Sequence, residues 1–203
     1  MLSAMAFVVV ALIRIPVVVF LKYEPKDVII TIGGFMFGPL ASVIVAVVTS
    51  LVEMVTISGT GLYGLVMNII GSVSFGAVAA LIYQKKRTVG GAVLGLLAGI
   101  AVMVPVMLLW NYIVTPVYMG YSRDVVAGML VPVFLPFNLL KGGLNAALTM
   151  LLYKPVVTAL RKAGLVPKRE NAKGGINIGA MVVSGFVLIG LIIVLLIMNG
   201  VIG

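Results

Sequence analysis

The chain has 203 residues, of which 63% are hydrophobic and 9% charged, and its mean hydropathy is +1.30. This composition excludes an ordinary soluble domain and predicts an all-α integral membrane protein whose six or seven spans use nearly the whole chain. Cysteine and histidine are absent from the sequence, which excludes disulfides, thiolate nucleophiles and the commonest metal ligand. The net charge of +9 comes from lysines and arginines gathered between apolar runs, a pattern typical of membrane orientation rather than nucleic-acid binding.

The first apolar run, residues 3–21, is predicted to be a membrane span interrupted by Arg14 and Pro16. A signal peptide is disfavoured because the run has neither a basic leader nor a small-residue cleavage site. A polar loop is predicted at residues 22–27, and its last residue, Asp27, is a good N-cap for the next helix.

Residues 28–57 form an apolar stretch that is longer than one typical span requires, and Gly38-Pro39 lies in its middle. Proline disfavours helical geometry in the residue before it. Two helices are therefore predicted, one ending near Phe37 and one beginning at Pro39.

Two further spans are predicted after a turn at residues 58–61. The fourth covers residues 62–83 and carries Asn68. The fifth covers residues 90–118, and Pro105 should kink it.

The last third of the chain is predicted to contain a loop at residues 120–131 and a sixth span beginning at Pro136. That span would run for about 25 residues, or ~37 Å. Three regions follow: a six-helix membrane domain at 1–165, a basic cytoplasmic linker at 166–175 and an extra C-terminal hydrophobic helix at 176–203.

Lysines and arginines are distributed unequally between the two ends of the predicted spans. With a cytoplasmic amino terminus, nine fall inside and three outside. The nine are Lys85, Lys86, Arg87, Lys154, Arg161, Lys162, Lys168, Arg169 and Lys173, and the three are Lys22, Lys26 and Arg123. Four polar side chains on three helices then lie at similar depth in the outer half of the membrane: Asn68, Asn111, Asn138 and Lys141.

Asn138 and Lys141 are three residues apart and share one helix face. An ionisable side chain is costly in hydrocarbon, so Lys141 is a candidate for a functional site. Asparagine offers both donors and an acceptor, and with a lysine it suits a flat heterocycle edged with imide and ring-nitrogen groups. Two alternatives stay open: the asparagines join helices to one another, or the lysine reaches the outer interface.

Other polar and aromatic side chains favour structural roles. Arg14 and Glu53 are expected to form an ion pair between the first and third spans. An aromatic group near the outer interface is expected to form a belt more readily than a stacking cage. Its members are Trp110, Tyr112, Tyr118 and Tyr121.

Three segments resemble the substrate-binding S components of energy-coupling factor (ECF) vitamin transporters, and specifically the riboflavin-specific members. Residues 33–39 (GGFMFGP) are similar to the second helix of that family with its Phe-Gly-Pro break. Trp110-Asn111-Tyr112 resembles the fifth-helix segment, and residues 136–142 (PFNLLKG) resemble an Asn-x-x-Lys signature in the sixth helix.

The resemblance implies a non-enzymatic six-helix bundle that binds riboflavin from outside as its transported ligand and needs no cofactor. It implies a substrate site at Asn111, Asn138 and Lys141, to which the polar pattern adds Asn68 and Tyr112. It also implies docking onto a membrane coupling protein with two cytoplasmic ATPases.

Energy coupling separates this hypothesis from its alternatives. The sequence contains no nucleotide-binding motif and has few carboxylates in its spans, so the chain alone should bind but not accumulate ligand. Docking is expected on the small-residue face around Ala4 and Ala11. The alternatives are an autonomous secondary transporter of a heterocyclic vitamin, an S component for another vitamin, or a membrane scaffold.

Overall fold

The computed structural model describes residues 1–18, 21–164 and 178–198, and helices account for most of them. A short antiparallel hairpin is the exception to the predicted all-α architecture. The elements in chain order are α1 Leu2–Leu12, β1 Ile15–Val18, β2 Leu21–Tyr23, α2 Lys26–Phe37, α3 Pro39–Thr56, α4 Gly61–Lys85, α5 Val89–Met119, α6 Arg123–Met129, a π-helical turn Leu130–Phe134, α7 Leu135–Lys162 and α8 Ile178–Met198.

Within the described residues, four helical stretches are long and apolar enough to cross a membrane: α3, α4, α5 and the continuous stretch Arg123–Leu160. Two shorter apolar helices, α1 and the greater part of α8, accompany them. The structure thus confirms a mainly helical chain with candidate membrane spans, while the count of six spans plus one stays a prediction.

The prediction of one span over residues 3–21 is wrong, because α1 ends at Leu12 and a β-hairpin follows. Pro16 cannot donate a backbone hydrogen bond and is tolerated at the edge of a two-stranded ribbon. Arg14, at the entrance to the hairpin, donates from its guanidinium to the carbonyl of Ile57 over 2.9 Å. The helical part of this apolar run is therefore limited to α1, and its second half forms the hairpin.

The prediction of a polar loop at residues 22–27 is also wrong. These residues end β2 and begin α2, and Lys26 and Asp27 are completely buried. Asp27 is not the N-cap, since Pro25 occupies that position and Asp27 lies in the first helical turn. Buried partners, described below, compensate the charges and allow this polar segment to enter the bundle.

The predicted break between two helices at Gly38-Pro39 is confirmed, as are the turn at residues 58–61 and the two spans that follow it. Gly38 adopts a φ of +99°, a conformation that side-chain-bearing residues rarely take. Pro39 then begins α3, where its missing N–H has no intrahelical acceptor to lose.

The predicted loop at residues 120–131 and a helix start at Pro136 are contradicted, since the chain is helical without interruption from Arg123 to Lys162. The Ser122 side chain caps α6 by accepting from the amide of Val125. The π-helical turn at Leu130–Phe134 contains Pro132 and directly precedes α7, which contains Pro136. A local change of hydrogen-bond register of this kind accommodates prolines that would otherwise end a helix.

Small residues set the distance between α4 and α5. A Cβ placed on Gly95 or Gly99 would lie 2.6 Å from a backbone carbonyl oxygen of α4, that of Ala79 or Phe75 respectively. Such close approach is the usual reason for small residues between membrane helices.

The C-terminal helix α8 packs against α7 and the hairpin. Leu195 is buried in a cluster with Val17 of β1 and with Phe134 and Phe137, and Gly143 of α7 faces Leu191. The predicted linker at 166–175 and the ends of the last predicted region, 176–177 and 199–203, lie outside the described residues.

We expect Gly99→Ala to destabilise the bundle by about 1 to 3 kcal/mol, because its methyl group would force α4 and α5 apart. Gly128→Ala is the matched control, since a Cβ on Gly128 would meet nothing within 4 Å. Thermal unfolding in detergent measures both variants. Equal unfolding temperatures would show that the α4–α5 contact does not depend on this glycine.

Candidate functional site

A partly open cavity lies between the hairpin, the 58–60 turn, α4, α5 and α7. It is at the end of the bundle opposite the short connection between Lys85 of α4 and Val89 of α5. Four of the residues that the sequence singled out line it: Asn68, Asn111, Asn138 and Lys141. Apolar lining comes from Leu21, Met67, Met107 and Phe137, and further charged lining from Arg14, Lys22 and Glu24.

The aromatic residues near this end separate into two groups. Trp110 and Tyr118 line a smaller neighbouring cavity, which shares Asn111 with the first. Tyr112 lines neither cavity and is 39% exposed, and Tyr121 is similarly exposed. The structure thus does not bring Tyr112 together with the other predicted site residues.

Asn111 and Asn138 hydrogen-bond within their own helices rather than across helices. The Asn111 amide donates to the carbonyl of Met107 over 2.7 Å, and the Asn138 amide donates to that of Phe134 over 2.8 Å. The Asn111 carbonyl also accepts from Thr115 at 3.1 Å. Both asparagines are almost fully buried, so these bonds fix their side chains at the cavity wall.

Asn68 does connect two helices, because its amide donates to Glu53 of α3 over 2.9 Å. Of the three asparagines, Asn68 is therefore the one that hydrogen-bonds to another helix.

Glu53 is the centre of an ion network beneath the cavity. Lys26 lies 2.7 Å from Glu53 and 3.1 Å from Glu24, and Arg14 lies 2.9 Å from Glu24. The predicted pair of Arg14 with Glu53 is present only at 4.0 Å, so Lys26 is the closer partner. The role of Lys26 was missed in the sequence because the residue was assigned to a polar loop.

Asp27 is the centre of a second set of polar contacts. Its carboxylate lies 3.4 Å from the ammonium of Lys141 and accepts hydrogen bonds from Ser72 and Asn145. Tyr23 donates to the carbonyl of Asn145 over 3.0 Å. Burial, reinforced by the negative charge of Asp27, raises the pKa of Tyr23 above its ordinary value. Lys141 is therefore held by a buried carboxylate instead of extending to the membrane interface.

The two sets together balance three cations against three carboxylates. The cations are Arg14, Lys26 and Lys141, and the carboxylates are Glu24, Asp27 and Glu53. Three of the five acidic residues in the whole sequence therefore lie at this end of the bundle. The scarcity of acidic residues in the sequence was the signal that could have singled out Glu24 and Asp27 as candidates.

Comparisons with known proteins agree with this architecture. The family model described as ECF transporter, substrate-specific component, matches residues 1–153. The chain belongs to this family. An S component is a membrane transport protein that works with an energy-coupling module, so the chain is a transporter subunit and not an enzyme.

Two relatives carry more specific names. The riboflavin transporter RibU of Staphylococcus aureus (strain TCH60) is 32% identical over 171 residues, which cover 80% of this chain and 89% of the relative. The riboflavin transporter FmnP of Bacillus subtilis (strain 168) is 28% identical over 179 residues, covering 80% and 93%. A solved S component of a bacterial ECF transporter is 32% identical, with a TM-score of 0.66 over 79% of this chain and 93% of its own.

We expect Glu53→Gln to destabilise this S component by about 1.5 to 3 kcal/mol, because the buried ammonium of Lys26 loses its nearest carboxylate and keeps Glu24. Asp124→Asn removes the same charge from an exposed position and should have little effect. Unfolding temperatures in detergent compare the two. A loss no larger for Glu53→Gln than for Asp124→Asn would mean that the network contributes little to stability.

Proposed function

We propose that this S component binds riboflavin in the cavity between the hairpin, α4, α5 and α7, for ATP-driven uptake with partner subunits. The observation that carries the proposal is the convergence of Asn111, Asn138 and Lys141 on one cavity. Its ligand is suggested by two relatives that are named as riboflavin transporters.

The chemistry of the lining suits the isoalloxazine ring of a flavin. Asn111 and Asn138 use amide N–H groups on their own helices, which leaves carbonyl oxygens with lone pairs for the imide N–H of the ring. Lys141 supplies ammonium donors for a ring carbonyl or ring nitrogen. Met67, Met107 and Phe137 provide apolar surface for the faces of the ring.

The direction of binding follows from the charge distribution. Placing the lysines and arginines near the α4–α5 connection in the cytoplasm puts the cavity at the outer end, with the amino terminus inside. The cavity would then accept its ligand from outside the cell.

The proposed domain organisation keeps the substrate-binding bundle at 1–165, the linker at 166–175 and the extra helix at 176–203. The end of the family match at residue 153 supports it. The extra helix packs on α7 and the hairpin, along the side of this bundle. Tyr112 stays a predicted ligand contact, to be tested with the lining residues.

Lys141→Met and Asn138→Ala should each weaken riboflavin binding by about 5- to 150-fold, because a hydrogen bond lost from a buried ligand costs about 1 to 3 kcal/mol. Quenching of flavin fluorescence by purified protein in detergent gives the dissociation constants. Lys86→Met is the control, since Lys86 is exposed at the opposite end. Unchanged affinity in both cavity variants would place the ligand elsewhere.

We further propose that α1 docks onto a membrane coupling protein that carries two cytoplasmic ATPases. Ala4, Val8 and Ala11 are exposed and spaced to lie along one face of α1. Small side chains there allow a partner helix to approach closely.

Ala4→Trp or Ala11→Trp should abolish ATP-dependent riboflavin uptake yet leave the dissociation constant within about twofold, because the new side chain blocks docking but not the cavity. Uptake into vesicles containing the complete complex, and titration of the isolated S component, measure the two effects. Ala101→Trp, at an exposed position on α5, controls for bulk alone. If riboflavin binding and uptake fall together, the exposed face of α1 is needed for folding or for the cavity rather than for docking. Accumulation of riboflavin by the S component in vesicles without ATPases would refute energy coupling.

A further inference from the structure

We propose that Asp27 is a positioning residue for the ligand, acting through Lys141 although its own side chain does not line the cavity; this rests on the proposed function of the cavity. The carboxylate would thereby control the affinity for flavin from a helix, α2, that supplies none of the proposed flavin contacts.

Side chains from two other helices fix the carboxylate of Asp27. Asp27 itself is on α2, Ser72 on α4 donates to one carboxylate oxygen, and Asn145 on α7 donates to the other over 3.2 Å. Tyr23 in turn fixes the carbonyl of Asn145. Asp27 has no exposed surface, so bulk solvent does not compete with these donors.

Lys141 stands between this carboxylate and the cavity. Its ammonium is 3.4 Å from the Asp27 oxygen that also accepts from Asn145, and its side chain keeps some exposure toward the cavity that it lines. An ammonium has three donors, so one directed at Asp27 leaves two for a ligand.

The pairing should increase affinity by reducing the motion of a flexible side chain. A lysine has a four-carbon stem with high rotamer entropy, and holding it in its binding geometry before the ligand arrives removes that cost from the binding step. The alternative is that Asp27 only compensates the buried charge of Lys141. Removal of Asp27 would then affect folding but not the strength of the contact between Lys141 and the ligand.

A double-mutant cycle with riboflavin separates these roles. We expect Asp27→Asn to weaken riboflavin binding about tenfold in the parent chain and to cause no further loss in the Lys141→Met background. Ser72→Ala removes one hydrogen bond to the Asp27 carboxylate without changing any charge. We expect it to weaken riboflavin binding a few fold in the parent chain and to have no further effect in the Lys141→Met variant.

Thermal unfolding of each variant is measured beside its riboflavin titration. If Asp27→Asn does not fold, the cycle of Ser72→Ala with Lys141→Met tests the positioning role of Asp27. Equal proportional losses in the two backgrounds, or unchanged affinity in the parent, would overturn the positioning role. If the parent chain does not bind riboflavin, or if Lys141→Met binds it equally well, the proposed function of the cavity fails and the role of Asp27 fails with it.

Discussion

Six charged side chains, buried or partly buried at one end of a largely apolar bundle, constrain the rest of the structure. An isolated ion moved from water into a protein interior costs several kcal/mol, so these groups are stable only when assembled with their partners. Lys26 has no exposed surface, and its ammonium is placed between Glu24 of the hairpin side and Glu53 of α3. The network therefore joins the hairpin, α2 and α3 directly beneath the cavity.

The cavity depends on that network and on the irregular helix opposite it. The π-helical turn at Leu130–Phe134 lets one helical stretch continue through Pro132 and Pro136. Asn138 and Lys141 are consequently interior residues of a long helix, where neighbouring turns fix their directions. Asn138 bonds back to Phe134, and Lys141 is held by Asp27 of α2.

Local sequence signals predicted the regular helices well. The Gly38-Pro39 break and the bounds of α4 and α5 followed from proline chemistry and apolar length. The hairpin did not, because an apolar run interrupted by Arg14 and Pro16 has the composition of a span. The continuous helix through residues 123–162 was missed because Pro136 has the pattern of a helix start and π-helical register has no simple sequence signature.

The sequence predicted the polar lining of the candidate site but not the contacts of the charged network. Asn68, Asn111, Asn138 and Lys141 stood out as polar groups within apolar spans, and all four line the cavity. The partners of the network could not be assigned, since their contacts join residues far apart in sequence. Lys26 meets Glu53 across 27 positions, and Asn145 meets Asp27 across 118. Only the folded chain places them together.

An experimental structure of the chain with riboflavin bound tests most directly whether this cavity is the riboflavin site. We expect the isoalloxazine ring to lie between α4, α5, α7 and the hairpin, with Asn111, Asn138 and Lys141 within hydrogen-bonding distance of its polar edge. A flavin bound elsewhere on the bundle, with this cavity unoccupied, would contradict this expectation.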